Sequence, residues 1–319
     1  MRILIVKTSS LGDVIHNLPV VSDIRRHFPE AVIDWCVEEN FAVIARLHPG
    51  VAEVFPVAIR RWRKRLLRRQ TWREFAAFRA RLRAQHYDLI LDSQGLLKSA
   101  LIAAQAIGPR CGYDEHTVRE PLAARFYQRH YTVSVAEHAV TRNRLLAAAA
   151  LGYTIDDAPD YGISAPPAAL PWLPPAPYAI LLTATSRDDK LWPEAHWLEL
   201  GQRLREQGCR AVLPAGSAAE RERAAHLAAG IPDAIAAPPL DIAALAGALA
   251  GAREVIGVDT GLTHLAVALK TPTVALYTAT DPGLTGVFGT AFHRNLGGKG
   301  QVPTVEAVLG ELQAVGEPL

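Results

Sequence analysis

Short continuous apolar runs alternate along the chain with segments in which apolar residues recur at helical spacing. The apolar, largely β-branched runs are typical of parallel strands that are covered on both faces. They predict strands at residues 3–6, 32–37, 53–57, 89–92, 179–182, 210–213, 255–258 and 273–277. Helical periodicity predicts helices at 14–24, 41–47, 197–207, 220–229, 242–250, 262–269 and 304–315, and a long basic helix before residue 89. This alternation predicts an α/β fold with helices on both faces of parallel sheets.

A proline-rich segment interrupts the alternation. Residues 158–177 contain seven prolines, and proline suits neither a helix interior nor a central strand because it lacks the backbone donor. We interpret the segment as a linker between two similar α/β halves. A ligand is then expected in a cleft between the halves, outside the carboxyl ends of the strands.

Composition narrows the class of protein. The chain has 319 residues, half of them hydrophobic and 21% charged, with a net charge of +2. It is long enough for about two domains and is too apolar for a disordered protein. Its three cysteines are far apart in sequence and predict neither a disulfide framework nor a zinc cluster, which fits a reducing compartment. No apolar run approaches the ~20 residues of a membrane helix, and the apolar stretch at the start of the chain is too short for a secretory signal.

The loop after the first predicted strand carries the first candidate chemistry. Gly12 permits a close approach of ligand or backbone, and Asp13 and Ser10 are both suited to cap the following helix. Asp13 is alternatively a general base that takes a proton from an attacking hydroxyl. Lys7 is either a ligand for an anionic substrate group or a solvated lysine at a strand end.

Two loops in the second half have the features of a phosphate site. Residues 258–264 lead from an apolar strand through Asp259, Thr260 and Gly261 into a helix, which directs backbone N–H groups and the positive end of the helix dipole at a ligand. His264, one turn into that helix, faces the same ligand or is structural. Residues 183–190 end in Lys190, and their hydroxyls and ammonium suit phosphate oxygens. The alternative is a polar turn with a local ion pair, and the chain offers no companion residues for a metal site there.

The segment from residue 60 to residue 83 is strongly basic. It holds ten arginines and Lys64 against a single acid, Glu74, so its net charge is +10 and the rest of the chain carries −8. Trp62 and Trp72, with leucines and phenylalanines, are interleaved with the charges. This pattern favours an anionic membrane surface or a phosphorylated lipid. Nucleic acid is the rival partner, and a solvated helix face is disfavoured because acidic partners are scarce.

Several motifs together resemble one enzyme family. The opening Lys-Thr-Ser-Ser-Leu-Gly-Asp-Val-Ile-His-Asn-Leu-Pro (7–19) and Val-Asp-Thr-Gly-Leu-Thr-His (258–264) resemble motifs of glycosyltransferase family nine, the bacterial ADP-heptose:lipopolysaccharide heptosyltransferases. The motifs at 58–64 and 184–190 narrow the resemblance to the heptosyltransferase I branch, and those at 118–122 and 280–283 also fit. The resemblance runs from residue 1 to about residue 300.

The resemblance implies a GT-B fold, in which two Rossmann-like domains with parallel sheets face a central cleft. The expected domains are an acceptor-binding domain at 1–163 and a nucleotide-sugar-binding domain at 164–301, with a C-terminal helix at 302–317 that packs back on the first. The implied donor is ADP-L-glycero-β-D-manno-heptose, and the implied acceptor is the inner Kdo of Kdo₂-lipid A, which receives an α1,5-linked heptose with inversion. The implied location is the cytoplasmic face of the inner membrane, with peripheral contact and no nucleic-acid partner.

The resemblance also assigns roles by position. Asp13 matches the catalytic base, and no metal or cofactor is expected. The donor-contacting positions are Thr185, Ser186, Lys190, Glu220, Leu240, Asp259, Thr260, Gly261 and His264. The acceptor-side positions are Lys7, Ser10, Arg60, Arg61, Arg63, Lys64, Gln94, Lys98, Arg119, His138 and Arg142. Ser186 replaces a common threonine and keeps its hydroxyl, and Leu240 replaces a common methionine and keeps its apolar contact.

Two alternatives remain open at this point. The first is another core heptosyltransferase of the same family, of type II or III. The second is a non-catalytic protein that binds anionic lipid or nucleic acid through the basic segment.

Overall fold

The computed structural model describes residues 1–155, 158–289 and 292–316. Contacts divide the chain into two compact units, residues 1–163 and 164–319. Throughout the proline-rich segment 158–177, every residue of which the structure describes, there is neither helix nor strand. Of the helices in the described ranges, none combines the length and the apolar character needed to span a bilayer.

The first unit is built on a six-stranded parallel sheet whose order is β3-β2-β1-β4-β5-β6. Its strands are β1 (Arg2–Val6), β2 (Val32–Glu38), β3 (Val51–Val57), β4 (Leu89–Asp92), β5 (Arg110–Tyr113) and β6 (Arg129–Tyr131). Its helices are α1 (Leu11–Ile15), α2 (Leu18–His27), α3 (Ala42–Arg46), α4 (Ile59–Arg63), α5 (Arg69–Arg83), α6 (Leu97–Ala103), α7 (Pro121–Ala124) and α8 (Ala139–Leu151), with a 3₁₀ turn at Glu39–Phe41. The central strand β1 is fully buried from Ile3 to Val6, as its apolar run predicts.

The second unit repeats this plan with a parallel sheet of order β12-β11-β10-β7-β8-β9. Its strands are β7 (Tyr178–Leu182), β8 (Arg210–Leu213), β9 (Ile235–Ala236), β10 (Glu254–Val258), β11 (Thr273–Tyr277) and β12 (His293–Gly297). Its helices are α9 (Glu194–Glu206), α10 (Ala218–Gly230), α11 (Ile242–Ala250), α12 (Gly261–Ala268), α13 (Pro282–Thr285) and α14 (Val305–Gly316), with a 3₁₀ turn at Asp188–Lys190. Numbered from its own first strand, each sheet has the order 3-2-1-4-5-6 of a Rossmann-like fold.

The predicted strands are confirmed, but four strands carry no apolar signal in the sequence. β5, β6, β9 and β12 lie toward the edges of the sheets, and β6 and β12 are rich in polar residues. Three of them, β6, β9 and β12, are edge strands, and an edge strand, which is covered on fewer sides, needs no continuous apolar run. The hydrophobic pattern therefore finds the central strands and the edge strand β3, and it misses the other three edge strands and β5.

Two predicted helices are each broken into two. The predicted helix at 14–24 is interrupted between α1 and α2, where Pro19 stands in the first turn of α2 and cannot donate to a preceding turn. The predicted long basic helix is interrupted between α4 and α5. There the hydroxyl of Thr71 donates to the carbonyl of Arg65, and the indole of Trp72 donates to the carbonyl of Leu66. Crowding of like charges at helical spacing also disfavours a continuous helix through this stretch.

The C-terminal helix contributes to the core of the second unit. The apolar side chains of α14, Val305, Val308 and Leu312, belong to that hydrophobic core, and the expected packing of the helix on the first domain stays a prediction. The indole of Trp192 donates to the carbonyl of Pro303 just before the helix, at 2.9 Å. An amphipathic helix packs where its apolar stripe is covered, and here the second sheet covers it.

A buried ion pair joins α2 to α8 in the first unit. Two guanidinium nitrogens of Arg144 donate to the two carboxylate oxygens of Asp23 at 2.7 and 3.0 Å, and both side chains are almost fully buried. Charges removed from water in this way are stable only while they satisfy each other. The pair therefore fixes the packing of α2, the helix that follows α1, against α8.

We predict that Arg144→Met destabilises the first unit by about 3–5 kcal/mol, because it leaves the Asp23 carboxylate buried without these donors. Urea unfolding followed by far-UV circular dichroism measures the effect. The double variant Arg144→Met/Asp23→Leu should recover most of the loss, since no buried charge remains. An equal loss in the double variant would show that the ion pair is not the cause.

Candidate active site

In the first unit the strand order reverses between β1 and β4, so the loops that follow these two strands are neighbours. The side-chain oxygen of Gln94, after β4, accepts the backbone N–H groups of Thr8 and Ser9, after β1, at 3.0 and 3.1 Å. Gly95 makes this turn possible with a φ of +67°, and a Cβ there would lie 3.0 Å from the side chain of Val118. The two loops therefore form one hydrogen-bonded platform.

Lys7 lies beneath this platform and is only 3% exposed. Its ammonium donates to the carbonyl of Ser93 at 2.9 Å and to the side-chain oxygen of Asn143 at 3.2 Å. Burial lowers the pKa of Lys7 to about 8, because the charged form loses its hydration. The interpretation of Lys7 as a solvated strand-end lysine is therefore wrong, and it is a buried cation close to Asp13.

Asp13 is held by donors on both carboxylate oxygens. One oxygen accepts the guanidinium of Arg119 at 2.8 Å, and the other accepts the backbone N–H of Ser10 at 2.8 Å and its hydroxyl at 3.1 Å. Burial alone would raise the pKa of Asp13, but the charges of Lys7 and Arg119 and the Ser10 hydrogen bond outweigh it, so the pKa lies well below its usual range. Asp13 thus closes the start of α1 and also presents an ionised carboxylate.

Asp92 supports the platform from below. One of its oxygens accepts the N–H groups of Gln94 and Gly95, and the other accepts the hydroxyl of Tyr127 at 2.8 Å. Burial raises the pKa of Asp92 to about 6, although these donors oppose the shift. Its carboxylate fixes the turn that carries Gln94.

The remaining basic groups of this region differ in their surroundings. Arg119, Arg142 and Lys7 line one small recess with Tyr113. The guanidinium of Arg142 lies 4.7 Å from the centre of the Tyr113 ring and donates to the carbonyl of Thr117. His138 accepts the N–H of Val140 at the start of α8, so it serves as a helix cap.

The basic residues of the segment from residue 60 to residue 83 differ in their partners. The Arg61 guanidinium is engaged by Glu39 and Glu74, and the Arg60 guanidinium lies 5.5 Å from the centre of the Phe41 ring. Among the residues that the structure describes, Arg63 and Lys64 form no ion pair with a carboxylate.

Lys98 connects this segment to the Asp13 loop. Its ammonium donates to the hydroxyl of Ser9 at 2.7 Å. Burial lowers the pKa of Lys98, and the charges of Arg60 and Arg63 lower it further. The predicted acceptor-side residues that come together around Asp13 are therefore Lys7, Ser10, Gln94, Lys98, Arg119 and Arg142.

In the second unit three loops converge on Asp259, directly after β10. One of its carboxylate oxygens accepts the ammonium of Lys190 and the hydroxyl of Thr280, each at 2.7 Å. The hydroxyl of Thr185 donates to the backbone carbonyl of Asp259 at 2.9 Å. Asp259 therefore holds Lys190 in place.

The start of α12 lies beside this cluster. Thr260 stands at the N-cap position with an extended backbone, and Gly261 is the first residue of the helix. Gly257 is required just before, because a Cβ there would lie 2.3 Å from the hydroxyl of Thr263 and 3.1 Å from Leu182 on β7. The helix N-terminus is the kind of site that stabilises phosphate groups, and His264 is buried within its second turn.

The other predicted donor residues are Glu220, Ser186 and Leu240. Glu220 closes its own helix, since one carboxylate oxygen accepts the N–H groups of Gly216 and Ser217 at 2.9 Å each. Ser186 is exposed in the loop before the 3₁₀ turn, and Leu240 is half-buried before α11. In the part of the chain that the structure describes, no hydrogen bond joins these three to Asp259 or Lys190.

Sequence reasoning missed several residues of these clusters. The sequence patterns predict no role for Asp92, Asn143 and Tyr127, and none for Thr280, although it stands in the motif at 280–283. Asp92 carries a usable signal, because it ends an apolar strand at the same sheet edge as Lys7. Asn143 and Tyr127 lie far along the chain and carry none. Among the described residues no group of three or more His, Cys, Asp or Glu side chains is placed to hold a metal ion.

Comparisons with known proteins place these features in one family. A family model, "Glycosyltransferase family 9 (heptosyltransferase)", matches residues 75–308. The chain is 51% identical over 295 residues to lipopolysaccharide heptosyltransferase 1 of Pseudomonas aeruginosa, covering 91% of this chain and 82% of that protein. It is 46% identical to the Escherichia coli K12 protein of the same name, covering 91% of each.

Solved structures agree. The E. coli heptosyltransferase WaaC with ADP superposes with a TM-score of 0.90 at 42% identity, covering 98% of this chain and 99% of that one. WaaC with ADP-2-deoxy-2-fluoro heptose superposes with a TM-score of 0.85, at the same identity and the same coverage of both chains. E. coli heptosyltransferase II gives 0.75 at 22% identity, covering 99% of this chain and 98% of that one, a likeness of fold alone. The GT-B assignment is thereby confirmed.

We predict that Asp92→Asn removes a pH-dependent loss of stability. The folded-state pKa of Asp92 is about 6, above the ordinary value of ~3.9. The contribution of Asp92 to the free energy of unfolding is therefore most favourable below pH ~4, and it is lost as the pH rises through 6.

Urea unfolding of both proteins at pH 4, 5, 6 and 7 measures this. The stability of the variant relative to the parent should rise by up to about 3 kcal/mol between pH 4 and pH 7, because one pKa unit corresponds to ~1.4 kcal/mol. A difference that does not change with pH would contradict the prediction.

Proposed function

Since the chain belongs to glycosyltransferase family 9, the heptosyltransferases, we propose that it adds the first heptose of the lipopolysaccharide core. The donor in this proposal is ADP-L-glycero-β-D-manno-heptose, and the acceptor is the inner Kdo of Kdo₂-lipid A, linked α1,5 with inversion. The observation that carries the proposal is the high identity to the heptosyltransferase 1 proteins over nearly the whole chain. The printed ligands of the WaaC structures, ADP and a fluorinated ADP-heptose, support the donor class.

In the proposed reaction the first unit handles the acceptor and Asp13 is the base. The acceptor hydroxyl attacks the anomeric carbon, and the bond from that carbon to the ADP phosphate oxygen breaks. Asp13 takes the hydroxyl proton. Arg119 and Ser10 hold the carboxylate in position, while Arg142 and Lys98 supply positive charge for an anionic sugar acid.

The lowered pKa of Asp13 suits this step. A carboxylate with a low pKa is a weak base, but glycosyl transfer passes through an oxocarbenium-like state, as in glycoside hydrolysis. The attacking hydroxyl becomes strongly acidic as its bond to that carbon forms, so a weak base suffices. Lys7 and Arg119 ensure that the carboxylate is ionised at neutral pH.

On the donor side, the second unit stabilises the departing diphosphate. Negative charge grows on the phosphate oxygens as the sugar leaves, and Lys190, Thr185, Ser186 and the N-terminus of α12 are the groups proposed to meet it. Such fixed donors stabilise a transition state without reorganising. Asp259 and Thr280 act by positioning Lys190, because one carboxylate oxygen of Asp259 accepts the Lys190 ammonium and the Thr280 hydroxyl donates to the same oxygen. The contacts of Glu220 with ribose, of Leu240 with adenine and of His264 with the donor remain proposals.

We also propose peripheral contact with the cytoplasmic face of the inner membrane. The support is the basic segment, whose exposed Leu66, Leu67 and Trp72 stand among arginines. Such a surface is attracted to anionic lipid. The non-catalytic alternative is not favoured, because the family is one of transferases.

Incubation of the protein with ADP-heptose and Kdo₂-lipid A, followed by mass spectrometry of the lipid, tests the function. We expect the mass of one heptose to be added to Kdo₂-lipid A and none to an acceptor that already carries the first heptose. Transfer only to the heptosylated acceptor would assign the chain to a later step and contradict the proposal.

We predict that Asp13→Ala lowers turnover at least ~10²-fold while ADP-heptose binding stays nearly unchanged, because the change removes a base on the acceptor side. Single-turnover kinetics and calorimetric titration of the donor measure the two quantities. Asp13→Asn is the matched control for the capping role, since its amide oxygen still accepts the Ser10 N–H. Both variants should be equally slow. A fully active Asp13→Asn would show that Asp13 serves only as a helix cap.

We predict that activity survives EDTA, because Lys190 and the helix N-terminus supply positive charge to the leaving diphosphate. The measurement is the initial rate with and without chelator and after addition of Mg²⁺. Abolition by EDTA with rescue by Mg²⁺ would overturn this prediction.

A further inference from the structure

An apolar groove lies in the first unit between the basic segment and α6. Its volume is about 450 Å³, and its apolar lining comes from Ile59, Trp62, Leu66, Trp72 and Phe75 on one side and from Leu101 and Ile102 on the other. Leu66, Trp72 and Leu101 are 54%, 60% and 47% exposed. So much apolar surface kept in contact with water is unfavourable, and it marks a surface that another apolar group covers.

The polar groups around the groove already have partners. The indole N–H of Trp62 donates to Glu74 and that of Trp72 to the carbonyl of Leu66, each at 2.8 Å. The Thr71 hydroxyl donates to the carbonyl of Arg65, and the Gln105 amide donates to the carbonyl of Leu101. Because these groups are engaged, the groove favours hydrocarbon over a sugar, a nucleotide or a peptide backbone.

The rim of the groove is cationic. Arg63 and Lys98 line it directly, and four further basic residues lie on the same stretch of chain: Lys64, Arg65, Arg68 and Arg69. In the part of the chain that the structure describes, none of these six cations forms an ion pair with a carboxylate. An occupant whose hydrocarbon is attached to anionic groups complements both features.

The groove is also connected to the candidate base. Lys98, which lines the groove, donates to the hydroxyl of Ser9, and the adjacent Ser10 donates to Asp13. A single acceptor molecule can therefore reach Asp13 with its sugar, the cationic rim with its phosphate and the groove with its hydrocarbon.

We propose that this groove binds one acyl chain of the acylated, phosphorylated glycolipid acceptor during heptose transfer. The inference rests on the proposed function and adds a subsite for the lipid part of the substrate. The acceptor's own chain is favoured over the surrounding bilayer because the groove is recessed and is joined to the Asp13 loop through Lys98. Leu67, by contrast, is fully exposed and does not line the groove, so it serves as a probe of contact with the bilayer surface.

The test compares two acceptors and three variants. Heptose transfer is measured with Kdo₂-lipid A in neutral detergent micelles and with the same acceptor after removal of all its acyl chains. Leu101→Gln and Leu66→Gln alter opposite walls of the groove at exposed positions, where a polar side chain is tolerated. Leu67→Gln makes the same change outside the groove in the same segment.

We expect each groove variant to raise KM for the acylated acceptor about tenfold, the effect of losing ~1.4 kcal/mol of hydrocarbon contact. The kcat values, and KM for the acyl-free acceptor, should not change. Leu67→Gln should leave every constant as in the parent, because the neutral micelles of this assay offer no anionic bilayer for Leu67 to contact. Circular dichroism of the variants checks that they are folded.

Two results would overturn the inference while leaving the proposed function intact. One is an equal KM for both acceptors in the parent together with unchanged kinetics in the groove variants. The other is an equal KM increase in all three leucine variants together with weaker sedimentation on acceptor-free phosphatidylglycerol vesicles, which would identify the bilayer as the occupant. Failure of the parent to transfer heptose to either acceptor would instead refute the proposed function, and the inference with it.

Discussion

Parallel pairing of the first and fourth strands of each sheet is the constraint on which the candidate site depends. A sheet whose order reverses beside its first strand leaves the loops of two central strands adjacent at the carboxyl edge. In the first unit this brings Gln94 to the backbone of Thr8 and Ser9. In the second it brings Thr185 and Lys190 to Asp259. The polar clusters are therefore a consequence of strand order, and the apolar strands beneath them provide a rigid support.

Burial of charge sets the chemistry of the first unit. Lys7 loses hydration and its pKa falls, while Asp13 keeps its charge only because Lys7, Arg119 and Ser10 compensate for its burial. Neither group has its solution properties, and each depends on the other. This mutual dependence explains why the loop that carries Asp13 also carries a buried cation.

The basic segment combines two properties that conflict in an ordinary surface helix. Its like charges oppose a continuous helix, and the chain turns between α4 and α5, where Thr71 and Trp72 bind the carbonyls of the turn. Part of the charge is neutralised by acids from elsewhere, since Glu39 binds Arg61 and Glu53 binds Arg81. Two cations, Arg63 and Lys98, line an apolar groove beside this segment, an arrangement that suits the proposed lipid with anionic groups.

The sequence by itself determined the α/β class, the central strands and the family, because buried parallel strands need continuous apolar runs and the loops after them carry compact motifs. It also identified Asp13 and Asp259 as residues at the carboxyl ends of strands. It did not determine β5, β6, β9 and β12 or the break in the basic helix, since these depend on the surfaces that cover them. Only the tertiary structure decided that Gln94, 86 residues from Thr8, binds its backbone, and that Thr280 shares a carboxylate with Lys190. Hydrogen bonds between distant residues depend on the packing of the sheet between them, and no local pattern encodes that geometry.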